Sequence, residues 1–274
     1  MHTLQSDDGT SIAYERAGSG PAIILVDGAL CSRAFGPMPK LVPLLAPHFT
    51  VYTYDRRGRG DSADAASYSM DRELEDLAAL VRVAGGSAFA FGASSGGALV
   101  LHAAASGVPL TRLAMYEPPF VNEGASGGGE PDHIRQLRSL IAAGQRGAAV
   151  KYFMADMVGA PKPVVFMMRL MLPVWSKLKA VAHTLPYDAT IMGNWLVPKE
   201  RAASVRVPAL VMYGGKTDER LRRAAEAVSA ALPNAELRVL AGQNHAAAAS
   251  AVAPVLVAFF AGQRQQHASR ASAV

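Results

Sequence analysis

The stretch Phe91-Gly92-Ala93-Ser94-Ser95-Gly96-Gly97 constrains this chain more than any other. A short apolar run, Ala88 to Phe91, leads into it, and a helix-compatible run, Ala98 to Ala105, follows. Gly92, Ser94 and Gly96 fall in the frame G-x-S-x-G. Between a strand and a helix that frame makes a tight turn. Its central serine takes a strained backbone conformation and presents its hydroxyl at the tip. Glycines flank the serine because a Cβ would collide with neighbouring backbone. The helix N-terminus behind it aims unpaired N–H groups at developing negative charge. Ser94 is therefore the candidate nucleophile. Ser95 is not, because its own frame would begin at Ala93 instead of a glycine.

A chain of 274 residues, half of them hydrophobic, can bury a sizeable core and suits one large α/β domain or a domain carrying an insertion. The single cysteine, Cys31, excludes a disulfide framework and a cysteine zinc site, and no Cys/His/carboxylate cluster has metal-ligand spacing. Gly18-Ser19-Gly20 lacks a full dinucleotide frame. No metal and no cofactor are expected. The formal charge of +5 invites a nucleic-acid reading, but the cations are dispersed among acids, as in Arg72-Glu73-Leu74-Glu75-Asp76. A solvated surface is the expectation, with no nucleic-acid partner. Met1 to Asp8 shows no charged-then-apolar leader pattern, and no apolar stretch approaches the roughly 18 residues that span a bilayer. A cytoplasmic monomer or homodimer with no membrane partner is expected.

In chain order, Leu4 to Gln5 and Ser11 to Glu15 read as a hairpin around Asp8-Gly9-Thr10. Ala22 to Val26 is a continuous apolar run, the mark of a strand buried on both faces of a parallel sheet. A helix is expected over Ala34 to Leu45, a strand over Thr50 to Tyr54, and a helix over Met70 to Val83 with Leu74, Leu77, Leu80 and Val81 at helical spacing. The strand before Ser94 and a sixth strand, Leu110 to Tyr116, complete the first half. From Phe120 to about Arg206 helical segments alone follow the Gly-rich stretch Gly124 to Gly129: His133 to Ala143, Arg146 to Met157, Pro163 to Leu172 and Val174 to Thr184. Strands over Ala209 to Tyr213 and Glu236 to Leu240 and helices over Asp218 to Ala231 and Ala248 to Phe260 then resume the alternation. The expected fold is α/β, a mostly parallel central sheet of about eight strands flanked by helices, with a helical cap inserted after the sixth strand. Residues 1–117 and 207–262 would form the core, 118–206 the cap, and the Ser/Ala/Gln/Arg-rich 263–274 a disordered tail.

A serine hydroxyl needs a base to take its proton, and the base needs a carboxylate to orient it. In a parallel sheet all three come from loops at strand C-termini. His245 lies just past the last strand. Two carboxylates qualify: Asp218, in Gly215-Lys216-Thr217-Asp218 after the strand ending at Tyr213, and Glu117, after the strand ending at Tyr116. Asp218 is preferred, although it also fits a helix N-cap. Acyl transfer further requires an oxyanion hole. The backbone N–H groups of Ser95 and of Ala29 are the candidate donors, with Gly28 allowing the close turn.

With these residues in place the chain resembles an α/β-hydrolase over nearly all its length, to about Ala261. The resemblance rests on Asp27-Gly28, Asp55-Arg56-Arg57-Gly58-Arg59-Gly60-Asp61-Ser62, Gly92 to Gly96, Gly215 to Asp218, His245, and the order Ser…Asp…His. It implies a capped serine enzyme of the esterase, lactonase, thioesterase or haloperoxidase-like branches. Branches with an Asp nucleophile are excluded by Ser94. One departure stands out. Asp27-Gly28 occupies the place of the family's usual His-Gly. An Asp there either steadies the loop by accepting backbone N–H bonds or brings negative charge towards a site meant for an anion.

The implied reaction is cofactor-free hydrolysis of a carboxylic ester, lactone or thioester through an acyl-enzyme. The substrate would be a small apolar acyl compound. Asp27, Leu30, Phe166, Met167, Met171 and Trp195 are the expected pocket residues. Asp27 and the open choice of acid also motivate an alternative, a protein of this fold that binds or rearranges an apolar natural product by cyclisation or elimination.

Overall fold

The alternation of strand and helix becomes one eight-stranded sheet in the computed structural model, which describes residues 1–122 and 132–262. The elements run β1 (His2–Gln5), β2 (Ser11–Ala17), β3 (Ala22–Val26), α1 (Met38–Leu45), β4 (Thr50–Tyr54), α2 (Met70–Val83), β5 (Ala88–Ala93), α3 (Ser95–Ala105) and β6 (Leu110–Tyr116). The cap follows as α4 (His133–Ala142), α5 (Arg146–Tyr152), a π-helical turn (Phe153–Met157), α6 (Lys162–Leu170), α7 (Leu172–Ala180), α8 (Leu185–Met192) and α9 (Lys199–Ser204). The sheet resumes with β7 (Ala209–Gly214), α10 (Glu219–Ala231), β8 (Ala235–Leu240) and α11 (Ala249–Phe260).

Strand order is β1-β2-β4-β3-β5-β6-β7-β8. β1 and β2 are antiparallel to their neighbours, and every pairing from β4 through β8 is parallel. The chain steps outward from β3 to β4, then returns to lay β5 on the other side of β3. That reversal opens a crevice beyond the C-terminal ends of β3 and β5, the place where open parallel sheets bind ligands. Val26, the last residue of β3, stands opposite Gly92. The Asp27-Gly28 and Gly92–Gly96 turns therefore face each other across the crevice.

Period-two alternation of β3 divides the core between the two faces of the sheet. Ile23 and Leu25 pack with Met38, Leu41, Phe91, Val252 and Leu256, on the side of α1 and α11. Ile24 and Val26 pack with Leu77, Leu80, Leu99 and Val100, on the side of α2 and α3. The long apolar runs of the sequence are strands of this doubly covered kind.

The structure departs from expectation in three places. The helix expected from Ala34 begins only at Met38, because Ser32 and Phe35 form a bridge and Gly36 has φ +146°, a conformation no α-helix contains. The cap is more broken than its periodicity suggested, with a hinge at Met171 (φ −80°, ψ 74°) between α6 and α7. It also holds α8 and α9, which the sequence reading did not resolve. Each has a proline at its start, Pro186 as the second residue of α8 and Pro198 just before α9, positions where a missing N–H is tolerated. The Gly-rich stretch Gly124 to Gly129 and the 263–274 tail lie outside the described residues.

A Cβ on Gly96 would overlap the backbone oxygens of Val26 and Asp27, so β3 and α3 approach each other only through this glycine. Gly96→Ala should destabilise the protein by about 3 kcal/mol, a fall of roughly 5–10 °C in Tm, or leave it insoluble. Gly147→Ala, within α5 and with only ordinary contacts around its new methyl, should be neutral or stabilising. Equal thermal melts for the two variants would contradict the packing described.

Candidate active site

Ser94 sits between β5 and α3 with φ 54° and ψ −127°. Three other non-glycine residues have positive φ among the described residues: Leu30 (61°), Glu117 (47°) and Trp195 (63°). All four gather at the same crevice, as the cavity lining and the Glu117–His245 contact below establish. Conformations of this kind cost on the order of 1–3 kcal/mol each and persist where the surroundings enforce them. The Ser94 turn is enforced by its neighbours. A Cβ on Gly92 would overlap Gly96 O, and the Ser94 N–H donates to Tyr116 O at 2.8 Å, tying the turn to the end of β6.

One residue past the end of β6 is Glu117. Its side chain is fully buried, and its Oε2 lies 2.7 Å from His245 Nδ1. Its Oε1 accepts the Gly214 N–H at 2.8 Å, so the end of β7 fixes the carboxylate. The loop carrying His245 is anchored as well, with Tyr116 Oη donating to Asn244 O at 2.5 Å. Asp218, the acid preferred from the sequence, is engaged elsewhere. Its Oδ1 accepts the N–H groups of Arg220 (2.9 Å) and Leu221 (3.1 Å), capping α10. The preference for Asp218 is thereby corrected: Glu117 is the carboxylate on the imidazole. The physical reason is local, since Asp218 satisfies orphan N–H groups at its own helix start, while the turn at Glu117 aims its side chain across β7.

Ser94 and His245 line two cavities at once. The larger, about 470 Å3, is bounded by Ala29 and Leu30 from the loop after β3, by Phe35, and by Phe153, Met168 and Leu178 from the cap. The smaller, about 40 Å3, is closed by Met157, Met192, Trp195 and Leu221, with Asp188 and Ser95 on its wall. Of the residues expected to line a pocket, Leu30 borders the larger cavity and Trp195 the smaller. Phe166, Met167 and Met171 border neither: they are 57%, 59% and 56% exposed, on the outer side of the cap. Helix α6 turns Val165 and Met168 inward, which puts the residues between them outside.

Asp27 is not a pocket residue either. It is buried beneath the loop; its Oδ1, 3.0 Å from where a Gly36 Cβ would stand, has no hydrogen-bond partner, while the Met38 backbone bonds to the carboxyl. Burial, opposed only in part by Arg59 and Arg56, pushes its carboxyl up to about 8. At neutral pH it is a neutral acid and brings no charge to the crevice. Burial likewise pushes the Cys31 thiol up to about 12, which removes it as a nucleophile at neutral pH.

The sequence reading missed a buried ionic cluster that joins the cap to both walls of the crevice. Asp188 of α8 accepts from Arg56 Nη1 at 2.7 Å, Arg59 Nη2 at 2.7 Å and Ser95 Oγ at 2.8 Å. Arg59 Nη1 donates to Gly28 O at 2.6 Å, and Arg56 Nε and Nη2 pair with Glu73 at 2.6 and 2.7 Å. Burial raises the Asp188 carboxyl, but Arg59, Arg56 and the Ser95 hydroxyl outweigh it and hold it below its ordinary value. In a trans peptide the N–H points opposite to the C=O. Gly28 O faces Arg59, so the Ala29 N–H is turned away from Arg59. One signal for Asp188 was available: it ends a run without Asp or Glu that begins after Asp156.

The chain matches the family model described as "Alpha/beta hydrolase family" over residues 18–258. A pimeloyl-[acyl-carrier protein] methyl ester esterase from Xanthomonas campestris pv. campestris (strain B100) is 29% identical over 239 residues, covering 84% of this chain and 89% of that protein. Among solved structures, an alpha/beta hydrolase from Sphaerobacter thermophilus DSM 20745 is 50% identical with a TM-score of 0.89, covering 94% of this chain and all of that one. A thermophilic esterase from Thermogutta terrifontis shares the fold at 18% identity and a TM-score of 0.72, over 96% and 99% of the two chains.

The raised Asp27 carboxyl has a consequence for stability. The folded state holds a proton that the unfolded chain, titrating near 3.8, releases. Stability therefore falls as pH rises between about 4 and 8, by up to about tenfold in the folding equilibrium per pH unit, and this contribution levels off above 8. Asp27→Asn removes the dependence. Its Tm should gain on the parent's steadily from pH 5 to pH 8; a constant offset would show that Asp27 is ionised in the folded protein.

Proposed function

The chain belongs to the α/β hydrolase family, and from that premise we propose that it is a cofactor-free serine hydrolase that cleaves a carboxylic ester, lactone or thioester through an acyl-enzyme. The observation that carries this reading is that His245, paired with Glu117, lines the same cavities as a serine held in a left-handed turn. His245 Nδ1 donates to Glu117, which leaves Nε2 as the basic nitrogen. In the proposed reaction Nε2 takes the Ser94 proton as Oγ attacks the carbonyl carbon. The resulting oxyanion is held by the N–H groups of Ala29 and Ser95. Collapse expels the alcohol or thiol with the proton from His245, and water activated by the same imidazole releases the acid. Glu117 orients His245 and stabilises the imidazolium.

The cavities support a substrate of unequal halves. An apolar cavity of 150 Å3 holds a benzene ring, so about 470 Å3 suits a large apolar group, and about 40 Å3 admits one or two non-hydrogen atoms. The relative named as a methyl ester esterase acts, by that name, on an ester with a one-carbon alcohol. Two observations favour hydrolysis over a non-hydrolytic binder: burial raises the Asp27 carboxyl and so disfavours negative charge at the crevice, and Glu117 holds the His245 imidazole.

Ser94 should be labelled by a fluorophosphonate probe, and Ser94→Ala should lose turnover of p-nitrophenyl esters. Hydrolysis retained in Ser94→Ala would overturn the proposal. Asp188→Asn should lower kcat roughly 10- to 100-fold with KM nearly unchanged, because loosening Arg59 and Ser95 loosens both oxyanion donors. A change confined to KM would assign Asp188 to substrate binding instead.

A further inference from the structure

Six of the twelve large apolar side chains exposed among the described residues fall within residues 164–172: Val164, Phe166, Met167, Leu170, Met171 and Leu172, from 50% to 72% exposed. They cover the outer side of α6 and the turn into α7. Clusters of this kind on an otherwise polar surface mark places where something docks. The same hairpin carries Lys162, Arg169, Lys177 and Lys179, all exposed, and between Asp156 and Asp188 the sequence has no Asp or Glu. Its inner side helps enclose the large cavity through Met168 and Leu178. Two of the cations lie over aromatic rings there, Arg169 at 5.9 Å from the Trp175 centroid and Lys177 at 5.4 Å from that of Phe35, itself a cavity wall.

We infer that the α6–α7 hairpin is a docking face for an anionic lipid surface. An apolar helix face on a hairpin that carries cations and no acid in its sequence is the pattern of helices that lie in the plane of a bilayer interface. A second copy is the poorer occupant. Two-fold pairing places the same patch on both partners, and would set the four cations of one hairpin against the four of the other. The hairpin lies on the surface and spans nothing: no helix among the described residues is long and apolar enough to cross a membrane. An apolar substrate leaving the lipid would enter the large cavity beside the face that docks. The docking itself does not depend on the hydrolytic reading.

Co-sedimentation with vesicles tests the proposal, using Ser94→Ala protein in parallel so that loss of hydrolysis and loss of docking are separate results. Both proteins should bind vesicles of phosphatidylcholine with 30% phosphatidylglycerol and bind pure phosphatidylcholine at least tenfold more weakly. Binding should fall with added salt. Phe166→Ser/Leu170→Ser and Arg169→Glu/Lys177→Glu should each reduce binding at least tenfold while thermal melts show the fold retained. Absence of binding to the anionic vesicles, or binding indifferent to all four substitutions, would overturn the inference. So would a concentration-dependent dimer that the Phe166→Ser/Leu170→Ser change dissociates, since the face would then belong to a second copy.

Discussion

The architecture of the crevice depends on two arginines that have no access to water. Arg56 and Arg59 are each about 1% exposed in their side chains, as is Asp188, which both of them grip. Buried charge is tolerated only when pairing and hydrogen bonding are nearly complete. Here they are. Glu73 takes two nitrogens of Arg56, Gly28 O and Thr184 Oγ1 take two of Arg59, and Asp188 joins the guanidinium groups to the Ser95 hydroxyl. A cluster of this sort does less for net stability than for geometry. Removing any one member would strand the others, so the loop after β3, the loop after β4, the start of α3 and the cap helix α8 are held in one arrangement.

That constraint explains why a strained serine persists. The turn at Ser94 has φ 54°, and the turns at Leu30 and Glu117 share its left-handed character. Glycine would relieve each of them, but it would also remove the side chain that closes the cavity or reaches the imidazole. The strain is sustained by contacts that cannot yield: Gly96 against the β3 carbonyls, Ser94 N–H on Tyr116 O, and Gly214 N–H on Glu117. The two cavities of unequal size that meet at Ser94 are what this rigidity leaves open.

Much of this was legible in the sequence because it is written in local terms. Apolar runs of five or six residues mark strands covered on both faces, and G-x-S-x-G between a strand and a helix marks its own turn. The position of His245 after the last strand follows from strand order. The acid was harder. Asp218 and Glu117 both follow strands, and what separates them is whether the side chain satisfies its own helix start or crosses to a neighbouring strand, a distinction made by the left-handed backbone of Glu117. Asp188 was harder for another reason. It lies 132 residues from Arg56 in sequence, inside a cap helix opened by a proline, and its only local mark, the end of an acid-free run, does not name its partners. The orientation of α6 was similarly hidden, since an apolar helix facing solvent has the same spacing as one facing a pocket.

The central claim is that the carboxylate behind the His245 imidazole comes from the turn after β6, through Glu117, and not from the start of α10. The direct measurement is kcat/KM for Glu117→Gln and Asp218→Asn on one p-nitrophenyl ester. Gln keeps the shape of Glu117 but cannot stabilise the imidazolium, so activity should fall by roughly 10^2–10^4, while Asp218→Asn, which still caps its helix, should stay within a few-fold of the parent. The reverse order, a large loss at Asp218 with Glu117→Gln nearly normal, would contradict the account.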